Sequence, residues 1–243
     1  MNECVQGDAR AAETYGRALR GEKAALLLTD PPYCLLVRRR KSGDLRDKRQ
    51  GVKIDRDPVI RFEDVRAYRK FTGEWLPRAV DCLSPGAPLL IWTNFLGKEP
   101  IVSAARALGY GVLAFEFIWA KGEARLTGSE HLLRVYEVAL VLLRAPLPPL
   151  APGEWPRTGS VVAGYDDEGE ADRWGAHPNH KPFPVLEPLV RAWSRPGELV
   201  LDPFAGSGSI PAAALRLGRR AACSEIDPAF AATVTRRLSI PVG

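Results

Sequence analysis

Apolar residues in this chain gather in short runs separated by stretches with helical spacing. Runs at Ala25–Thr29, Leu89–Trp92, Val112–Trp119, Glu137–Leu143, Leu199–Leu201 and Ala221–Ser224, with a shorter one near Val5, have the length of strands in a largely buried sheet. Between them, apolar positions recur with helical periodicity over Val65–Leu83, Pro100–Leu108, Val185–Trp193, Ile210–Leu217 and Pro228–Leu238. Strands that alternate with amphipathic helices predict an α/β sheet covered on both faces. Val112–Trp119 and Glu137–Leu143 have no helical pattern between them, which predicts an antiparallel hairpin at one edge of a mixed sheet.

Two stretches break the alternation. Residues 35–62 are polar, basic and contain glycine, like a loop rather than an element. Residues 145–176 open on a proline-rich tract and carry the acidic run Asp166-Asp167-Glu168. Connections this long without their own structure tend to be functional or disordered, and both are candidates to touch a substrate larger than a metabolite. At 243 residues, against roughly 150 per domain, the expectation is one domain over 1–243 with a basic loop at 35–62 and a short insertion at 145–176.

Composition narrows the class. With 46% hydrophobic and 26% charged residues, wholesale disorder is excluded. The longest apolar run, Val135 to Leu143, is interrupted by Glu137 and falls well short of the ~18 residues a membrane span needs. The first residues lack the basic and then apolar pattern of an export signal, so a soluble cytoplasmic protein is expected. Cys4, Cys34, Cys82 and Cys223 form no C-x-x-C pair, and His131, His177 and His180 are too few and dispersed for a ligand set, so neither a metal site nor a disulfide framework is expected. His131 is read as structural.

Charge is concentrated. From Arg38 to Lys70 there are 13 Lys and Arg against 6 Asp and Glu, a net of +7 in a chain of net +5, so the remainder sums to −2. Arg38, Arg39, Arg40 and Lys41 open this stretch, and Arg46, Lys48 and Arg49 follow. A basic segment on a near-neutral body is the footprint of a polyanion binder; the alternative is a solvated loop.

Two motifs carry chemistry. Leu199-Val-Leu-Asp202-Pro-Phe204-Ala205-Gly206-Ser207-Gly208-Ser209 reads as strand, glycine turn and helix start. Glycines let a ligand approach the backbone, and the helix start offers unpaired N–H groups. The turn is neither a P-loop, lacking Gly-Lys-Ser/Thr, nor a dinucleotide fingerprint, because Pro211 stands where a third glycine would. Seventeen residues past Gly208, at the end of the next strand, Glu225 is placed to accept hydrogen bonds from ribose hydroxyls. Together these point to a nucleoside cofactor without a pyrophosphate. The second motif, Asp30-Pro31-Pro32-Tyr33, directly follows the strand Ala25–Thr29. The prolines hold their carbonyls stiffly, setting a carboxylate, a rigid carbonyl and an aromatic ring at a strand's carboxyl end, where ligands of open α/β sheets bind.

These residues resemble the amino-methylating DNA methyltransferases in their beta arrangement. That family places Asp-Pro-Pro-Tyr before Asp-Pro-Phe-x-Gly-Ser-Gly, as Asp30–Tyr33 precede Asp202–Gly208 here. Its His-Pro-x-x-Lys-Pro is matched by His177-Pro178-Asn179-His180-Lys181-Pro182, and its short Gly-Asp by Gly7-Asp8. The resemblance runs from Gly7 to about Leu238. It implies a seven-stranded Rossmann-like methyltransferase fold with circularly permuted motif order, S-adenosylmethionine as cofactor, and DNA as substrate with the target base flipped out. Glu225 would hold the ribose, Asp8 the adenine amino group, and Phe204 would pack nearby. Gly206, Ser207 and Gly208 would approach the methionine portion with help from Lys181, and Ala9, Asp30, Asp202, Ala205 and Ser209 complete the implied cofactor set.

Asp30 and the Pro31 carbonyl would accept the two N–H groups of an exocyclic amino nitrogen, concentrating its lone pair, and Tyr33 would stack on the flipped ring; Pro32 completes the implied catalytic set. For Tyr33, packing beneath the loop is the alternative. Asp30 as first motif residue favours adenine N6 over cytosine N4, by resemblance; an RNA substrate and a catalytically silent DNA-binding subunit are the other readings. Many members carry a sizeable target-recognition region before His-Pro-x-x-Lys-Pro, where this chain has only 145–176. Base readout is therefore assigned to the loop 35–62, with a short or degenerate recognition sequence; tracking of phosphates alone is the alternative. The resemblance admits a homodimer and a cognate restriction endonuclease as partners.

Overall fold

The structure is a computed structural model that describes residues 4–34, 62, 64–121, 136–146, 159–165, 169–174 and 180–240. Its strands are β1 (Cys4–Gln6), β2 (Leu26–Thr29), β3 (Leu89–Thr93), β4 (Val112–Ala120), β5 (Tyr136–Leu143), β6 (Val161–Ala163), β7 (Leu199–Asp202) and β8 (Arg220–Glu225). They form one sheet in the order β1-β8-β7-β2-β3-β5-β4-β6. β1, β8, β7, β2 and β3 run parallel, whereas β5 is antiparallel to both β3 and β4. The helices are α1 (Ala12–Leu19), α2 (Val65–Asp81), α3 (Phe95–Ala107), α4 (Glu170–Trp174), α5 (Phe183–Trp193), α6 (Ser209–Arg216) and α7 (Pro228–Ser239).

Side-chain parity explains why the central strands read as uninterrupted apolar runs. Leu27, Leu89, Ile91, Leu140, Leu142, Leu199 and Leu201 face one core, which packs against α1, α2 and α3. Their neighbours Leu26, Leu28, Leu90, Trp92, Val141 and Val200 face the other, under α5 and α6. A sheet covered on both faces has no polar side to show. No helix among the described residues is long and apolar enough to cross a membrane.

The α/β class and the antiparallel β4–β5 pair stand as expected from the sequence, with two corrections. Eight strands, not seven, are present among the described residues, and the hairpin is not the outermost pair. The addition is β6, inside 145–176, which pairs in parallel with β4 through Ile118↔Val161 to Ala120↔Ala163. Three residues carry too little periodicity to announce themselves; β6 is held from outside, by Ile118 N–H on the Ser160 carbonyl and the Trp119 indole N–H on the Gly164 carbonyl. That same stretch also holds α4.

Topology places the site. From β2 the chain moves through α2 to β3 on one side, while β7 moves through α6 to β8 on the other. β2 and β7, adjacent in space, therefore lead away from each other, opening a crevice at their carboxyl ends where open α/β sheets bind ligands.

Candidate active site

Four strands deliver the residues singled out by sequence to that crevice. β1 leads into Gly7-Asp8, β2 into Asp30, β7 ends on Asp202 and β8 on Glu225. One cleft is lined by Asp8, Ala9, Asp30, Pro32 and Lys181 together with Phe204, Ala205, Gly206, Ser207, Ser209 and Glu225. Two motifs some 170 residues apart in sequence thus share one cavity. Pro31, Tyr33, Asp202 and Gly208 are not among its lining residues.

The glycine turn is built by its backbone. Gly206 and Gly208 have φ of +51° and +75°, a region that favours glycine. At Gly208 a Cβ would also come within 3.0 Å of Val234. The Gly206 N–H donates to Glu225 Oε2 at 2.8 Å and the Asp227 N–H donates to Oε1 at 3.0 Å, so Glu225 fixes the turn while keeping lone pairs for further donors. The Gly7 N–H donates to the Glu225 carbonyl at 2.9 Å, locking β1's end to β8's.

Asp202 is buried, and its Oδ1 accepts from the Thr29 hydroxyl at 2.7 Å and the Phe204 N–H at 3.2 Å. This ties the end of β7 to the end of β2. Burial pushes the Asp202 carboxyl up to about 7, against the pull of those donors. Asp8 is gripped by Arg10, whose Nη2 lies 2.6 Å from Oδ2, and hydrogen bonding from Arg10 lowers its carboxyl below the ordinary range.

Asp30 sits in a buried set of charges. The Lys181 ammonium, 1% exposed, donates to Asp30 Oδ2 at 2.5 Å and lies 3.0 Å from Glu137 Oε2. Glu137, on β5, also accepts from the Tyr33 hydroxyl at 3.2 Å and from Lys121. Burial raises the Asp30 carboxyl above its usual value, since the nearby Glu137 offsets part of the pull of Lys181. Burial works upward on Glu137 too, but Lys181 and Lys121 outweigh it and bring this carboxyl to about 2. Asp30 Oδ1 is buried and has no hydrogen-bond partner.

The geometry adds residues that sequence reasoning missed. Phe71, Ile226, Asp227 and Phe230 line the cleft, and Glu137, Lys121 and Trp92 stand behind Asp30. Glu137 had a signal, a single carboxylate opening an otherwise apolar strand. Arg38, Arg39, Arg40, Lys41, Arg46, Lys48 and Arg49 lie outside the described residues, as do His131 and His177-Pro178-Asn179.

An α/β sheet whose Asp30 turn and glycine turn line one cleft matches what the amino-methyltransferase resemblance implies, and comparison with known proteins agrees. The DNA methylase family of N6 and N4 methyltransferases matches residues 24–236, and the chain belongs to this family. It is 29% identical over 228 residues to YubD of Escherichia coli K12, a methylase by name, covering 90% of this chain and 82% of that protein. Among solved structures, M1.HpyAVI superposes with a TM-score of 0.68 at 17% identity, covering 99% of this chain and all of the other. TTHA0409 of Thermus thermophilus, complexed with S-adenosyl-L-methionine, gives 0.61 at 22% identity, covering 98% and 93%. The PvuII cytosine-N4-specific DNA methyltransferase gives 0.64 at 15% identity, covering 98% and 86%.

Proposed function

We propose that this protein transfers a methyl group from S-adenosylmethionine to the exocyclic N6 of adenine in DNA, as a single domain built on the sheet described above. The observation that carries the reading is the shared cleft, whose lining includes both Asp30, with its unpartnered buried oxygen, and the glycine turn.

The residues fit the cofactor. Phe71, Phe204, Ile226 and Phe230 supply apolar walls for a purine, while Glu225 and Asp8 supply acceptors for ribose hydroxyls and an amino group. Lys181 is the one cation among the described lining residues, and it is engaged by two carboxylates. Such a cleft suits a nucleoside without phosphates, and the M1.HpyAVI and TTHA0409 structures include S-adenosylmethionine complexes. When bound, the cofactor supplies an electrophilic methyl group on a sulfonium.

The protein's own groups then do three things. Asp30 Oδ1 and the Pro31 carbonyl accept the two N–H groups of the target nitrogen, which localises its lone pair as it turns pyramidal. The half-buried Tyr33 ring, its hydroxyl tied to Glu137, receives the face of an extrahelical base, a contact worth roughly 1–3 kcal/mol. The turn and Glu225 would hold the donor, so that acceleration comes from positioning; positive charge passes from the sulfur to the target nitrogen as the methyl moves, and the surplus proton on that nitrogen leaves along its hydrogen bond to Asp30 and on to solvent. Extracting the base from a duplex costs a few kcal/mol.

The test is transfer of labelled methyl by the purified chain to duplex DNA and to RNA, followed by digestion to nucleosides. N6-methyladenine in DNA is the expected product. N4-methylcytosine alone, or label in RNA only, overturns the substrate assignment, and no transfer at all favours a silent DNA-binding subunit. Asp30→Ala should abolish transfer while retaining cofactor binding; full activity in that variant removes Asp30 from the reaction.

A further inference from the structure

Lys181 is nearly inaccessible, yet its ammonium is shared between Asp30 Oδ2 at 2.5 Å and Glu137 Oε2 at 3.0 Å, 4.8 Å from the centre of the Trp92 ring. Glu137 in turn pairs with Lys121, so two carboxylates and two ammonium groups balance. A buried arrangement of this kind is poor at stabilising a fold, because removing the charges from water offsets their attraction, and packed apolar side chains would serve as well. Its value lies in what it does to Asp30. Lys181 occupies Oδ2 and leaves Oδ1 as the oxygen without a partner, on a residue that lines the cleft.

From this geometry we propose that Lys181 and Glu137 are positioning residues for the methyl transfer, fixing the orientation and ionisation of Asp30 so that Oδ1 is the acceptor presented to the target amino group. The inference rests on the reading of Asp30 given above and moves Lys181 from the cofactor, where family resemblance put it, to the catalytic carboxylate. The titratable and charged groups around Asp30 are Lys181 ahead of α5, Glu137 on β5 with Lys121 behind it, Tyr33 in its own turn, Asp202 at the end of β7 and Tyr68 on α2.

The two partners act on Asp30 with opposite sign. Without the ammonium, Asp30 stands buried beside Glu137 and holds its proton to higher pH, losing its acceptor. Without the Glu137 charge, Lys181 serves Asp30 alone and the carboxylate persists to lower pH. The experiment compares wild type, Lys181→Met, Lys181→Arg and Glu137→Gln by two readouts. One is the pH dependence of kcat for methyl transfer; the other is a 13C carboxyl titration of Asp30 in the substrate-free protein, assigned by loss of the signal in Asp30→Asn. Lys181→Met should move the acid limb up by about one pH unit or more and lower kcat near neutrality about 10²-fold. KM for S-adenosylmethionine should stay within about two-fold, and Lys181→Arg should recover part of the loss. Glu137→Gln should move the limb and the titration down.

An unchanged profile and titration in Lys181→Met overturn the proposal, and so does a loss confined to KM for the cofactor, which returns Lys181 to that ligand. Should Lys181→Met fail to fold, the downward shift in Glu137→Gln decides alone, and its absence is a refutation. If wild type methylates no nucleic acid, the functional reading fails, while the substrate-free titration still decides whether Lys181 and Glu137 govern Asp30.

Discussion

Asp30, Asp202 and Glu225 all stand at or just past the carboxyl end of a parallel strand, and the protein treats each differently. Glu225 is spent on two backbone N–H groups, Asp30 on an ammonium, and Asp202 on one hydroxyl and one N–H, with Oδ2 buried and unpartnered. Asp202 therefore keeps its proton up to about 7 in the folded chain, against about 3.9 when unfolded. The folded state binds more protons between those values, so Asp202 contributes stability that is complete below about pH 4 and lost as pH rises through about 7. Asp202→Asn keeps the acceptor but cannot ionise. The unfolding free energy of wild type minus that of Asp202→Asn should fall between pH 4.5 and 7.5, by up to about 1.4 kcal/mol per pH unit. Urea titrations across that range measure it, and a flat difference contradicts the assignment. At this scale Asp30, Asp202 and Glu225 are legible in the sequence because each closes a recognisable strand next to a proline or glycine signal. Glu137 shows only as a carboxylate opening an apolar strand; its role is not legible, because its partners Lys121, Lys181 and Tyr33 are 16, 44 and 104 positions away and only the fold brings them together.

Among the elements, α2 and α7 begin where their periodic runs do, each behind an aspartate cap. Asp64 caps α2 through the Ala67 N–H and Asp227 caps α7 through Ala229 and Phe230. α1 escapes prediction because Ala11 provides no cap and Gly16 interrupts it. α3 begins at Phe95 under an Asn94 cap, five residues ahead of the periodic signal, with Pro100 inside it. The five-residue α4 has no signal of its own. It is held by Glu170, which pairs with Arg237 of α7, while Arg237 Nη1 donates to the Ser207 carbonyl at 3.0 Å. Arg237 thereby joins the 145–176 segment to the glycine turn. Arg237→Met strands a buried carboxylate and a carbonyl together and should cost about 3 kcal/mol. Glu170→Gln, which leaves the Ser207 bond intact, should cost less. Chemical denaturation of the two variants checks the order, and the reverse ranking would show that α4 rather than the turn depends on Arg237.

For the whole molecule, the divergence of the connections that leave the parallel neighbours β2 and β7 creates the crevice, and the motif order in the chain reveals which strands flank it. What the sequence offers beyond the described residues is the cluster Arg38–Lys41. If it binds phosphates, replacing these four side chains with glutamine should weaken DNA binding at low salt and flatten the dependence of log K on log salt by about 0.9 for each phosphate no longer neutralised. Fluorescence anisotropy on a labelled duplex at several salt concentrations reads the slope; an unchanged slope places the polyanion surface elsewhere.

The pairing of β1 with β8 has a consequence for dividing the chain. Gly7 and Glu225, 218 positions apart in sequence, meet across that seam and line the same cleft. A fragment cut ahead of β8 loses Glu225, and with it the carboxylate that holds the Gly206 N–H. It keeps the Asp30 turn but only part of the cleft's lining.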